Sequence, residues 1–135
     1  MHDVAFRVLV CDDSLGFPTL VQTWLRDDGR FEVVGLARGG EEAKRMIAAE
    51  RPDALVLDLL LPDVPNTPAL VKHLRELHPP LRIMLVSSLQ MAQLEAAAEA
   101  SGVDGVCNKG ASAQELTDRL YAATSDGSST QNRLP

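Results

Sequence analysis

The sequence predicts an α/β domain: a doubly wound parallel sheet of five strands with helices on both faces. Three observations carry this. Short unbroken apolar runs, such as Ala54-Leu55-Val56-Leu57, read as strands buried on both faces of a sheet. Between them lie stretches with apolar residues at i, i+3, i+4 and i+7, the spacing of one helix face. The two kinds alternate along the whole chain as βαβαβαβαβα, which gives a parallel sheet whose right-handed crossovers return each helix onto it.

The first strand is Phe6–Cys11, ending at Asp12-Asp13. Ser14 or a neighbour caps the helix that follows, and Pro18 is acceptable in its first turn. Phe17, Leu20, Val21, Trp24 and Leu25 form its inward stripe, which makes Trp24 a packing residue, and Gly29 ends it. Phe31–Ala37 is the second strand; Gly39-Gly40 breaks it, and residues 41–50 form a helix with Ala43, Met46 and Ile47 inward. Neither GxGxxG nor GxxxxGK[ST] is present, so the glycine pair reads as a plain turn. Pro52 precedes the third strand, Ala54–Asp58, and Pro62 and Pro65 prevent its extension.

A Pro-rich loop then leads to a third helix, Thr67–Leu77, with Leu70, Val71, Leu74 and Leu77 inward and Pro79-Pro80 stopping it. The fourth strand covers residues 82–86, followed at once by Ser87-Ser88. An alanine-rich helix at residues 90–100 turns Met91, Leu94, Ala97 and Ala98 inward. Residues 103–108 hold the fifth strand, ending at Lys109, and residues 111–123 the last helix, with Leu116 and Leu120 inward. Residues 1–124 thus make one domain. Residues 125–135 fall in a polar, Ser/Gly-rich stretch that reads as a flexible tail or linker.

The totals narrow the functional classes. A chain of 135 residues is one domain, able to bury about two-thirds of its unfolded surface. Thirteen basic against nineteen acidic residues give a net charge of −6, which argues against nucleic-acid or anionic-membrane binding by this domain alone. No apolar run approaches the roughly 18 residues of a membrane span, and Met1-His2-Asp3 does not open a signal pattern. Cys11 and Cys107 lie far apart in apolar runs and read as buried, reduced thiols of a cytoplasmic protein. His2, His73 and His78 show no metal-ligand spacing.

Chemistry converges at the strand ends. Ligand sites of open α/β sheets lie at the carboxyl edge. There the sequence places Asp12 and Asp13 after the first strand, Asp58 at the end of the third, Ser87 after the fourth and Lys109 after the fifth. Each alone has an ordinary explanation as a cap, a turn residue or a solvated charge. Together they are three carboxylates, a hydroxyl and an ammonium. Crowded carboxylates repel until a proton or a cation relieves them. An all-oxygen donor set suits Mg²⁺, which readily bridges carboxylates and a phosphate. A hydroxyl and a lysine suit the remaining phosphoryl oxygens. In that chemistry Asp58 is the best acceptor, Asp12 and Asp13 hold the metal, and Ser87 and Lys109 contact the transferred group.

The motifs RVLVCDDS, VLDLLLP, MLVSS and NKGAS together resemble the receiver domain of bacterial response regulators, over nearly all the folded chain. The VVG of the second strand and the Lys109-Gly110-Ala111-Ser112 ending are most similar to NarL-like receivers. The resemblance implies the flavodoxin-like (βα)5 fold with strand order 2-1-3-4-5. It implies a two-component phospho-switch in which a sensor histidine kinase phosphorylates Asp58 with Mg²⁺. Asp13, Asp58 and the backbone carbonyl of Leu60 are then direct ligands, and Asp12 acts through water. Ser87 and Lys109 contact the phosphoryl oxygens. Movement of Ser87 remodels the fourth helix, fifth strand and fifth helix, where a downstream partner or a second copy binds.

The sequence also departs from that family. Val106 stands where a switch aromatic is common, and Gly110 where Pro is common. Asn66 replaces the usual loop Gly, a position where Asn tolerates positive φ. Bulky Leu60 and Leu89 occupy the positions that tune hydrolysis of the acyl phosphate, which implies a long-lived phospho-Asp58. The NarL likeness leaves open a transcription regulator whose helix-turn-helix lies outside this sequence. Val106 leaves open an unphosphorylated pseudo-receiver scaffold. A haloacid-dehalogenase-like phosphatase fits poorly, because Asp58-Leu59-Leu60 lacks the second Asp of DxDx[TV]. Apart from its own phosphorylation and dephosphorylation, no catalysis is expected.

Overall fold

The computed structural model describes residues 4–132. The elements run β1 (Phe6–Cys11), α1 (Phe17–Asp28), β2 (Phe31–Ala37), α2 (Gly40–Glu50), β3 (Ala54–Asp58), α3 (Thr67–Leu77), β4 (Arg82–Ser87), α4 (Met91–Ser101), β5 (Gly105–Asn108) and α5 (Ala113–Asn132). All strand pairs are parallel, in the order β2-β1-β3-β4-β5, the flavodoxin-like topology.

The continuous apolar runs are what the central strands need, because each face of the sheet meets helices. Along β3, Leu55 and Leu57 join Ile47, Leu70, Leu74 and Leu94 in the layer under α2, α3 and α4. Ala54 and Val56 join Val21, Leu25, Leu116 and Leu120 in the layer under α1 and α5. Val106 packs against the first of these layers.

Several local expectations are corrected. Gly16, not Ser14, precedes α1 and, having no side chain, supplies no side-chain cap; Ser14 bonds back to Asp12 instead. Leu20 is exposed, since α1 turns the Val21 and Leu25 line onto the sheet and leaves Leu20 at its margin. Trp24 is half-buried against the α1/α5 layer. Asn66 has a φ of −136° and serves as the N-cap of α3, its Oδ1 accepting from the Ala69 N–H at 3.0 Å. β5 begins at Gly105, two residues later than expected. Finally, α5 continues to Asn132 through most of the stretch read as a tail. The hydroxyls of Thr124 and Ser125 bond the carbonyls of Leu120 and Tyr121, four residues back, and so fit within the helix. Residues 133–135 lie outside the described residues. Among the described residues, no helix is long and apolar enough to cross a membrane.

Candidate functional site

Parallel pairing sets the site. β1 and β4 both flank β3, and β5 pairs with β4, so the carboxyl ends of β1, β3, β4 and β5 share one edge. The backbone then fixes the loops: Leu59 N–H donates to Val86 carbonyl at 2.9 Å, and Lys109 N–H to Ser87 carbonyl at 3.0 Å.

Carboxylate oxygens of Asp12, Asp13 and Asp58 lie within 4.8 Å of one another. Lys109 Nζ enters the group from β5, 2.7 Å from Asp12 Oδ2 and 3.5 Å from Asp58 Oδ2. Phe17 backs the ammonium, its ring centroid 5.0 Å away. Asp12 Oδ1 accepts from the backbone N–H of Ser14 at 2.8 Å and from its hydroxyl at 2.6 Å. Asp58 Oδ1 accepts from the Leu60 N–H at 3.3 Å. Ser87 is fully buried, and its Oγ accepts from the Leu89 N–H at 3.1 Å. Thus all five side chains singled out in the sequence meet at one edge, with Leu60 beside them.

Burial and mutual repulsion divide the two buried carboxyls. Burial pushes Asp58 above the usual carboxylate range and the Asp12 charge adds to this, while the Leu60 N–H and Lys109 oppose it. Burial also acts on Asp12, but Lys109 and the two Ser14 bonds outweigh it and hold that carboxyl low. Asp12 Oδ2 is buried without a well-directed hydrogen bond, its charge met by the nearby ammonium. An under-satisfied carboxylate oxygen among other oxygen donors fits a hard divalent cation. The Cys11 thiol, by contrast, is pushed up to about 12, mainly by burial, which favours the neutral thiol over the thiolate.

Two groups that the sequence reading missed also shape this edge. Asp63, in the loop after β3, accepts from the N–H groups of Gly40 and Glu41 at 3.0 and 3.4 Å and so caps α2 from outside it. A Cβ on Gly39 would lie 2.9 Å from Asp63 Oδ2, so the glycine pair is there for close approach. The second is Asn108, adjacent to Lys109. The run Gly39-Gly40 was a visible signal for the first; the second stands at the head of the NKGAS motif, with no local sign of its partner Leu89.

A parallel α/β sheet with an acidic, lysine-countered cluster at its carboxyl edge belongs to the doubly wound class of site-bearing domains. The family model for the response regulator receiver domain matches residues 8–121, and the chain belongs to that family. It is therefore a receiver domain of two-component signalling. Similar curated proteins include protein-glutamate methylesterase/protein-glutamine glutaminase 2 of Vibrio vulnificus, 37% identical over 89 residues, 66% of this chain and 25% of that protein. A second, from Myxococcus xanthus, is 37% identical over 98 residues, 73% of this chain and 25% of that one. The chain thus spans about a quarter of the length of these relatives. Among solved structures, the response regulator domain of Thermotoga maritima CheB superposes with a TM-score of 0.78 at 26% identity, covering 90% of this chain and 98% of that one. A signal receiver domain described as NarL of Mycobacterium tuberculosis gives 0.79 at 26%, covering 90% and 97%.

Proposed function

We propose that this receiver is a phosphoacceptor: Asp58 takes a phosphoryl group from a phosphohistidine of a sensor histidine kinase. The observation that carries the reading is the gathering of three carboxylates within 4.8 Å, with Lys109 Nζ 3.5 Å from Asp58. Asp12, Asp13 and Asp58, with the backbone carbonyl of Leu60, would hold Mg²⁺, which supplies charge neutralisation to the phosphoryl oxygens when bound. A carboxylate oxygen of Asp58 forms the new P–O bond as the P–N bond to histidine breaks. The imidazole leaves with the electron pair and takes its proton from water. Lys109 moves its charge from Asp12 to a phosphoryl oxygen, and Ser87 donates to another. Such transfer asks the protein mainly to position and neutralise, which these groups are suited to do.

The phosphorylated chain then presents an altered α4–β5–α5 face to a downstream protein or to a second copy. The net charge of −6 speaks against nucleic acid as the direct ligand of this domain. Identity to methylesterases favours, as a second reading of the output, control of a protein-glutamate methylesterase rather than of transcription. Adding the phosphorylated chain to such a catalytic domain and to a helix-turn-helix partner separates the two.

The test of the first reading is intact-protein mass after incubation with acetyl phosphate and Mg²⁺, for wild type and Asp58→Asn. One phosphate on wild type, lost with chelator and absent from the variant, is the expected result. No phosphate on wild type from acetyl phosphate or from a kinase, together with no binding of beryllofluoride, would leave a pseudo-receiver scaffold.

A further inference from the structure

One side chain ties the loop after β4 to the turn after β5, and the reading above gives it no role. Asn108 Nδ2 donates to the Leu89 carbonyl at 2.8 Å, and its Oδ1 accepts from the Gly110 N–H at 2.7 Å. The amide therefore spans from the loop that follows Ser87 to the turn that follows Lys109. An apolar residue here could complete the strand but would make neither bond. Leu89 is held from both sides, since its N–H also donates to Ser87 Oγ at 3.1 Å.

In this arrangement Ser87 has no exposed surface, and its hydroxyl oxygen is engaged by the Leu89 N–H. Any turn of that hydroxyl is therefore felt at Leu89, whose N–H is bonded to it. β5 has no aromatic lever for that movement: residue 106 is a half-buried valine.

We propose that Asn108 is a positioning residue whose amide holds the loop of residues 88–90 where Ser87 is buried. Release of the Leu89 carbonyl accompanies the turn of the Ser87 hydroxyl toward the phosphoryl group. The proposal rests on the phosphoacceptor reading above and adds the element that sets its resting state. A bond made in only one of two states biases their equilibrium by its own strength. One net hydrogen bond corresponds to about a threefold to tenfold bias.

The test titrates beryllofluoride with Mg²⁺ into the full chain by calorimetry, for wild type, Asn108→Val and Asn108→Ala. Both variants are expected to bind about threefold to tenfold tighter than wild type. A merely structural defect would loosen the site and weaken binding, so a gain separates the two roles. Valine suits a strand end and alanine cannot overpack it, so a melting curve selects whichever variant is folded for the comparison. Unchanged or weaker binding by the folded variant, with wild type binding, overturns the proposal and leaves the acceptor reading standing. No binding by wild type overturns both.

Discussion

Lys109 Nζ lies closer to Asp12 than to Asp58, 2.7 Å against 3.5 Å. The ammonium thus pairs more closely with Asp12 than with the candidate acceptor Asp58. The opposite displacement of their carboxyls agrees with this: burial presses on both, Lys109 and the two Ser14 bonds outweigh it at Asp12, and the Leu60 N–H and Lys109 do not outweigh it at Asp58.

That asymmetry has opposite consequences for stability. Asp58 holds its proton more tightly folded than unfolded, so its ionisation opposes folding as pH rises through the folded value. Without metal, Asp58→Asn is expected to melt above wild type near neutral pH, with the gap closing as pH falls through the carboxylate range. Asp12 holds its proton less tightly when folded, so its contribution is present above the unfolded value and disappears on acidification. Asp12→Asn should melt below wild type at neutral pH and converge with it in acid. Thermal midpoints against pH for the three chains check both signs; a common sign for the two variants would refute the assignment.

Lys109→Met removes the one cation, among the described residues, whose ion pairs join Asp12 and Asp58. Leaving the two buried carboxylates without their shared counter-charge should cost about 1–3 kcal/mol at neutral pH, read by denaturant titration. The same variant should bind Mg²⁺ more tightly by calorimetry, because the ammonium competes with the ion for the same oxygens, and yet lose phosphorylation. Weaker Mg²⁺ binding would show that Lys109 organises the carboxylates rather than competing for them.

Asp63 replaces the cap that Gly39 cannot provide for α2. Asp63→Ala should destabilise the chain by about 1 kcal/mol, and Asp63→Asn, which keeps an acceptor, by less. Gly40→Ala should cost about 1–3 kcal/mol, because its Cβ would come within 2.6 Å of Val64 Cγ2 and push the loop away. Equal stability of the two Asp63 variants would remove the capping role.

Leu60 is 58% exposed and its N–H donates to the carboxylate of Asp58, the proposed acceptor. A bulky apolar side chain there leaves an attacking water without a polar partner, so phospho-Asp58 should persist for minutes or longer. Leu60→Glu should shorten that lifetime severalfold by offering a base. The decay of phosphorylated mass after donor removal measures both, and a wild-type lifetime of seconds would contradict the expectation.

Much of this was legible in the chain. Runs such as ALVLD and the helical stripe of Leu70, Val71 and Leu74 report local burial, and local burial sets where strands and helices lie. Alternation of the two then fixed the parallel sheet, and parallel strands bring their ends to one edge. Hence Asp12, Asp13, Asp58, Ser87 and Lys109 could be gathered from sequence alone. The local signals failed where a competing partner was available. Ser14 could have capped α1 but bonds Asp12, and Asn66 could have taken a left-handed turn but caps α3. The end of α5 was missed because Thr and Ser hydroxyls also satisfy themselves on the preceding turn.

What the sequence by itself determined is which residues stand at the carboxyl edge, because that depends only on where each strand ends. The tertiary structure alone decided how they pair there. Lys109 against Asp12, Asp63 on the start of α2 and Asn108 across to Leu89 are contacts between segments 97, 23 and 19 residues apart. Their distances follow from strand register and helix packing, and no periodicity within one segment encodes those.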